Sequence, residues 1–261
     1  MPSERPRPVS SISQASPDRV EVRGRDLCGD LMGRVGFTEY FHLLLTGEEA
    51  TEDQAFFLDL LLVSIAEHGL MPSNVAARMT LAADPESLHG AVAAGILGCG
   101  PVVLGTSEAC ARLLVEAQEE VVAGEEPAAV ADRIAREIHD AGGKMPGFGH
   151  PVHRPVDPRA ERILELADDR AVSGPHVLLA RCLRDSVAGT WGKPLPMNVS
   201  LPIAAVMLDL GYSNDAVKAI PILARTAGLL AHLAEERERP LGLLLAGAAE
   251  EAVGYEPDAR A

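Results

Sequence analysis

The stretch Lys144-Met145-Pro146-Gly147-Phe148-Gly149-His150-Pro151-Val152-His153-Arg154-Pro155-Val156-Asp157-Pro158-Arg159 has no apolar period and is cut repeatedly by glycine and proline. It reads as a loop. On both sides the chain reads as helix. Upstream, Pro127 opens a helix with Val130, Ile134 and Ile138 on one side, which ends at Gly142-Gly143. Downstream, Pro158 suits the first turn of a helix running to Leu166 and Ala167.

Moving outward, Phe37 to Leu45 reads as a short apolar helix closed by Gly47, and Glu49 to Ala66 as a helix stopped at His68-Gly69. Asn74 to Ala83 follows, with Ser73 as its N-cap. Residues 87–99 are small and apolar and suit close helix approach, and Ser107 to Val122 is amphipathic. Helices are expected at 176–188, 201–210, 214–219 and 221–236, with one more after Pro240. Arg23 to Gly36 is expected to form a polar helix. Residues 1–18 hold four prolines and five serines and are expected to be a loose arm, followed by a single unit over 19–261.

The totals agree with an all-α fold. Of 261 residues, 47% are hydrophobic and only 3% aromatic, so the core must come from alanine and leucine, both helix formers. A formal charge of −15 argues against nucleic acid as a partner, because phosphate binding needs a basic surface. Cys28, Cys99, Cys110 and Cys182 lack metal-type spacing and sit among apolar neighbours, which suits buried thiols in a reducing compartment. A polar N-terminus, and no apolar run near the ~18 residues of a membrane span, give the expectation of a cytoplasmic protein without a membrane partner.

A long loop in a compact helical protein is uncommon unless it has a task. This one gathers Lys144, His150, His153, Arg154, Asp157 and Arg159. Pro146, Gly147 and Gly149 turn the backbone and offer amide groups to an oxyanion. Arginine suits carboxylate or phosphate, since its fork pairs with both bidentately. A solvated basic turn, with Asp157 pairing one arginine, is the competing reading of these residues.

The segments Gly147-Phe148-Gly149-His150-Pro151-Val152 and Asp157-Pro158-Arg159-Ala160 resemble the signature of the citrate synthase family, in particular its citryl-CoA lyase branch, which includes the short bacterial lyases and the lyase module of ATP-citrate lyase. Val22 to Leu27, Phe37 to Glu39 with Leu43 to Gly47, Ala66 to Gly69, and Leu223 to His232 match further family motifs in the same order. The resemblance implies a helical fold with a large and a small subdomain, the small one over roughly 105–205, paired as a homodimer. It implies a CoA thioester and a small carboxylic acid as ligands, with no metal and no covalent cofactor. His150 would hydrogen-bond the hydroxyl or carbonyl oxygen of the acid. Arg159 and Arg225 would hold its carboxylates, with His68 assisting. Arg154 would meet a CoA phosphate, and Lys144, Pro146, Gly147, Phe148, Gly149 and Asn198 would border the CoA pocket.

The chain departs from the family pattern at two catalytic positions. Leu88-His89-Gly90 looks like the turn that carries a family histidine. The register set by Ala93 to Ile96 and Gly100-Pro101 places Val103 there instead, 47 residues before His150, and leaves His89 structural. The general-base aspartate after Asn198-Val199 is replaced by Ser200. A serine hydroxyl does not take a proton at neutral pH as a carboxylate does. Asp209 sits in an ordinary helical context, and only Arg237 and Arg239 are candidates for the arginine lent across the family's dimer. Three readings follow: cleavage of a 3-hydroxy-acyl-CoA to acetyl-CoA and a 2-oxo acid, condensation of an acyl-CoA with an oxo acid, and non-catalytic binding of CoA and carboxylate.

Overall fold

In a computed structural model of the chain, residues 8–100, 105–150 and 152–256 are described. Val103 lies outside them. The chain divides into two compact units, Met1–Asp59 and Leu60–Ala261, and the division falls within one helix. The expected span of 105–205 for a small subdomain lies inside the second unit.

The first unit departs from the sequence expectation at three points. The expected loose arm carries strand β1 (Ser13–Ala15), which pairs antiparallel with β2 (Val20–Val22), and β2 pairs with β3 (Arg25–Asp26). The expected polar helix from Arg23 is instead the hairpin turn between β2 and β3, with Arg23 at φ 50° and Gly24 at φ 78°. A single π-helical turn follows (Leu27–Leu31), capped by Asp26, which accepts from the Gly29 amide at 2.7 Å. Backbone pairing thus overrides the weak helical pattern of a polar segment. Val22, Leu31 and Leu43 form a small core here, the last from helix α1 (Phe37–Thr46). Cys28 is exposed, against the expectation of buried thiols, whereas Cys99 and Cys110 are buried.

Helix α2 (Glu52–Ala66) crosses from the first unit to the second. The second unit then holds α3 (Pro72–Ala83), α4 (Leu88–Leu97), α5 (Gly105–Val122), α6 (Pro127–Asp140), α7 (Pro158–Asp169), α8 (Pro175–Thr190), α9 (Ser200–Asp209), α10 (Asn214–Glu238) and α11 (Gly242–Ala252). Met71, not Ser73, is the N-cap of α3, because Pro72 takes the first helical position.

Helix α9 is the centre of this unit. Its residues Leu201 to Met207 are all buried, and α5, α7, α8 and α10 pack around it. A helix apolar all round can only be stable in such a place. Its last residue, Asp209, accepts hydrogen bonds from the Gly174, His176 and Val177 amides at 2.8–3.0 Å and so caps the start of α8. That task accounts for the buried carboxylate and keeps it from any catalytic one.

The two helices expected over 214–219 and 221–236 are one, and Pro221 lies inside it. Proline removes one helical hydrogen bond, but packing of Ile220, Ala224 and Leu229 in the core keeps the helix continuous. As one helix, α10 is long and apolar enough to cross a membrane by length and composition. Its packing against α3, α4, α5 and α9 is that of a core helix. Gly95 of the small-residue helix α4 serves this packing: a Cβ there would lie 2.6 Å from Leu229 Cδ2.

Candidate active site

The loop of residues 144–157 is held by a second loop, residues 191–199, which leads into α9. Phe148 and Met197 form an antiparallel bridge. The Asn198 amide donates to the Gly147 carbonyl at 2.8 Å, and the Gly149 amide to the Pro196 carbonyl at 2.8 Å. Asn198 Nδ2 reaches the Gly149 carbonyl at 3.1 Å, while its Oδ1 accepts from the Ser200 amide at 3.0 Å. Gly147 is required for this fit. Its φ is +78°, and a Cβ would lie 2.7 Å from Leu201 Cβ and 2.9 Å from Cys110 Sγ. The glycine-rich loop is therefore clamped onto the N-terminus of α9, and the expected free amides are largely committed. The amides of Phe148 and Gly149 go to carbonyls, and those of Val152 and His153 to His150.

Above this clamp lies a cavity of about 330 Å³ lined by His68, His150, Arg159, Asn198, Ser200 and Arg225, with Gly149 at its rim. Of the expected site residues, these are brought together from five places in the chain. Pro146 and Phe148 support the loop but do not line the cavity, and Lys144 and Arg154 are exposed outside it. The sequence did not single out the apolar walls, Ile65, Met71, Ile203 and Pro221, nor Thr106 and Ser107 at the start of α5. Only helical spacing could have pointed to them, and it does not separate a cavity wall from a core position.

Two arginines share the cavity in different states. Asp157, fully buried, caps α7 and pairs with Arg159 through Nε at 3.0 Å and Nη2 at 2.8 Å. Burial acts to raise the Asp157 carboxyl, but the Arg159 hydrogen bonds and charge outweigh it and hold it below the usual carboxylate value. Arg159 is thus oriented and half-neutralised. Arg225 is 6% exposed, and its Nε and Nη1 are buried with no hydrogen-bond partner among the described residues. An unpaired buried guanidinium is costly, and it presents an anion site to the cavity.

His150 Nδ1 accepts from the backbone amides of Val152 (3.1 Å) and His153 (2.9 Å). A neutral imidazole that accepts at Nδ1 carries its proton at Nε2. Burial, then the charge of His153, lowers the His150 pKa, and Arg159 and His68 act in the same direction against Asp157. His68 is likewise lowered, first by burial and then by Arg159 and Arg225. Both rings therefore stay neutral at pH 7, and His150 offers an Nε2–H to an oxygen atom.

His68, His150 and His153 bring ring nitrogens within 4.8 Å of one another, which invites comparison with a metal site. The donor chemistry does not fit a cation well. His150 Nε2 bears the proton instead of a lone pair, and the guanidinium Nη2 of Arg159 lies 3.4 Å from it. The site is built for oxyanions.

Residues 14–242 match the family model described as citrate synthase, C-terminal domain. Citrate synthase 2 of Bacillus subtilis is 30% identical over 202 residues, covering 77% of this chain and 52% of the relative. The chain spans about half the length of the curated citrate synthases it matches. Among solved structures, citryl-CoA lyase from Hydrogenobacter thermophilus superposes with a TM-score of 0.84 at 29% identity, covering 97% of this chain and 96% of that one. ATP citrate lyase from Methanothrix soehngenii, in complex with citrate and coenzyme A, shares the fold with a TM-score of 0.77 at 22% identity, over 98% of this chain and 43% of that one. With its helical architecture, its motif order and the family model covering most of its length, the chain belongs to the citrate synthase family.

Proposed function

We propose that the protein is a citryl-CoA lyase-like enzyme, which cleaves a 3-hydroxy-acyl-CoA such as citryl-CoA to acetyl-CoA and a 2-oxo acid such as oxaloacetate. The observation that carries this reading is the pairing, in one cavity, of Arg225, whose Nε and Nη1 have no hydrogen-bond partner among the described residues, with the neutral Nε2–H of His150. The first suits a substrate carboxylate, and the second suits the oxygen on which charge changes. The end-to-end likeness to a citryl-CoA lyase favours cleavage over the reaction of the longer citrate synthases.

In the retro-Claisen step the hydroxyl loses its proton and the C–C bond breaks as the hydroxyl carbon becomes a carbonyl. The electron pair passes into the thioester enolate, which takes up a proton to give acetyl-CoA. His150 would hold the hydroxyl oxygen, and Arg225, Arg159 and His68 the carboxylates. Ser200, at the first turn of α9, offers no carboxylate base. The hydroxyl proton must go elsewhere, to a bound water, a substrate carboxylate or His153, whose ring centroid is 4.4 Å from that of His150. The CoA moiety would lie along the loop bearing Pro146 to Gly149, with Lys144 and Arg154 on the exposed side for its phosphates. We further propose a homodimer and a cytoplasmic location. The curated relatives favour condensation of an acyl-CoA with an oxo acid as the second reading.

The test incubates citryl-CoA and related hydroxy-acyl-CoAs with the protein and follows acetyl-CoA and oxo acid by mass spectrometry, with the reverse mixtures alongside. Cleavage that is lost in His150→Ala is the expected result. Condensation without cleavage would select the second reading. No turnover in either direction by protein that is folded and binds CoA would sink both and leave a non-catalytic binder.

A further inference from the structure

The turn that carries His68 is fastened from behind by groups outside the cavity. Glu67 Oε1 accepts from the backbone amides of His68 (2.8 Å) and Gly69 (2.5 Å) and from His232 Nε2 (3.0 Å). The other ring nitrogen, His232 Nδ1, accepts from Arg78 Nε at 3.0 Å. With an arginine donating at Nδ1, the ring proton belongs on Nε2, which lies 3.0 Å from Glu67 Oε1 and 2.8 Å from Asn74 Nδ2. Arg78, fully buried in α3, donates Nη1 to Glu236 at 2.8 Å and also pairs with Glu235. Glu236 in turn accepts from the Leu241 and Gly242 amides at 2.8 and 2.7 Å, where α11 begins.

The carbonyl side of the turn is held as well. Asn74 Nδ2 donates to the Gly69 carbonyl at 2.5 Å. A Cβ on Gly228 would lie 2.0 Å from the Ala66 carbonyl oxygen, so α10 is seated directly against the end of α2. Burial acts to raise the Glu67 carboxyl, but the His232 hydrogen bond and the two amides outweigh it and keep it low. Glu67 therefore holds its charge at neutral pH. The hydrogen bond from this relay to His68 is made by the backbone amide.

We infer that Glu67, His232 and Arg78 are positioning residues for His68, a hydrogen-bonded relay from α3 and α10 that fixes the backbone of the 66–69 turn and so aims the imidazole into the carboxylate pocket. The inference rests on the carboxylate-binding reading given above. The relay belongs to one unit of the fold and has its fully buried end at Arg78 and its solvent end at Glu67, whose side chain is 51% exposed. A change at the solvent end should loosen the turn without dismantling the core.

The experiment uses the whole chain with histidine ring nitrogens labelled with nitrogen-15, in Glu67→Gln and His232→Phe, with thermal unfolding confirming the fold. In Glu67→Gln the expected results are a displaced or broadened His68 ring resonance, an unmoved resonance of His139, whose ring packs on Trp191 away from this cluster, and citrate affinity about tenfold weaker by calorimetry. CoA affinity should stay unchanged. His232→Phe should reproduce the shift, and if it fails to fold then Glu67→Gln decides alone. A His68 resonance and a citrate affinity both unchanged in folded Glu67→Gln would overturn the inference. If the parent protein binds no citrate, the carboxylate reading fails on its own, while the resonance still decides whether the relay fixes His68.

Discussion

Replacing Arg225 with methionine should make the free protein more stable while destroying its affinity for a carboxylate. The side chain is 6% exposed, and Nε and Nη1 have no hydrogen-bond partner among the described residues. An unsatisfied buried donor costs about 1–3 kcal/mol, and more when charged. Methionine keeps the unbranched stem, fills much of the same space and carries nothing to desolvate. Discounting for the lost fit, Arg225→Met should gain about 2 kcal/mol, or roughly 4–8 °C in Tm for a unit of this size. The same change removes the charge-assisted bonds that a bound carboxylate would accept. Losing one partner of such a pair costs about 3 kcal/mol, a drop of roughly 150-fold in affinity. Thermal unfolding without ligand gives the first quantity, and calorimetry with citrate gives the second. A variant less stable than the parent would show that Arg225 is satisfied in the free protein. Unaltered citrate binding would show that the anion sits elsewhere. Either result refutes the reasoning.

Two further outcomes are expected. Gly147→Ala combines a positive φ with a Cβ pressed on Leu201 and Cys110, and should cost about 3 kcal/mol by denaturant titration; a loss under 1 kcal/mol would mean that the loop clamp is slack. His150 and His68, both lowered from an ordinary value of 6.5, should titrate below it when followed by NMR. Because the unfolded rings take up protons first, their contribution to stability is fully present above pH 6.5 and is lost as pH falls through and below that value; midpoints above it would contradict the neutral Nε2–H assigned to His150.

The course of the helices could be read from the chain because their apolar period and their punctuation are local: Pro127, Pro158 and Gly47 start or stop helices where proline and glycine chemistry places them, while α2 ends at Ala66, ahead of the expected stop at His68-Gly69. Motif order was enough to name His68, His150, Arg159, Asn198, Ser200 and Arg225 as members of one site, and all line one cavity. Polar segments with competing options were not legible. Val20 to Leu31 became strands and a π turn, since the partner that decides between helix and hairpin is another stretch of backbone. Proline at 221 marked a helix break by local rules, yet burial of its neighbours in α10 outweighed one lost hydrogen bond.

What the sequence by itself determined, then, is a predominantly helical chain with a chemically loaded loop, because periodicity and turn chemistry act over a few residues. What only the tertiary structure decided is the state of each group in the site. Arg159 and Arg225 are the same residue type in the sequence, but one is paired with Asp157, and the other keeps Nε and Nη1 without a hydrogen bond among the described residues. Asp209 and Asp157, equally plain as aspartates, are both helix caps. The physical reason is that the partners of these charges lie up to 95 residues away along the chain, and only packing of α9 and α10 at the centre of the unit brings them within a hydrogen bond or withholds them.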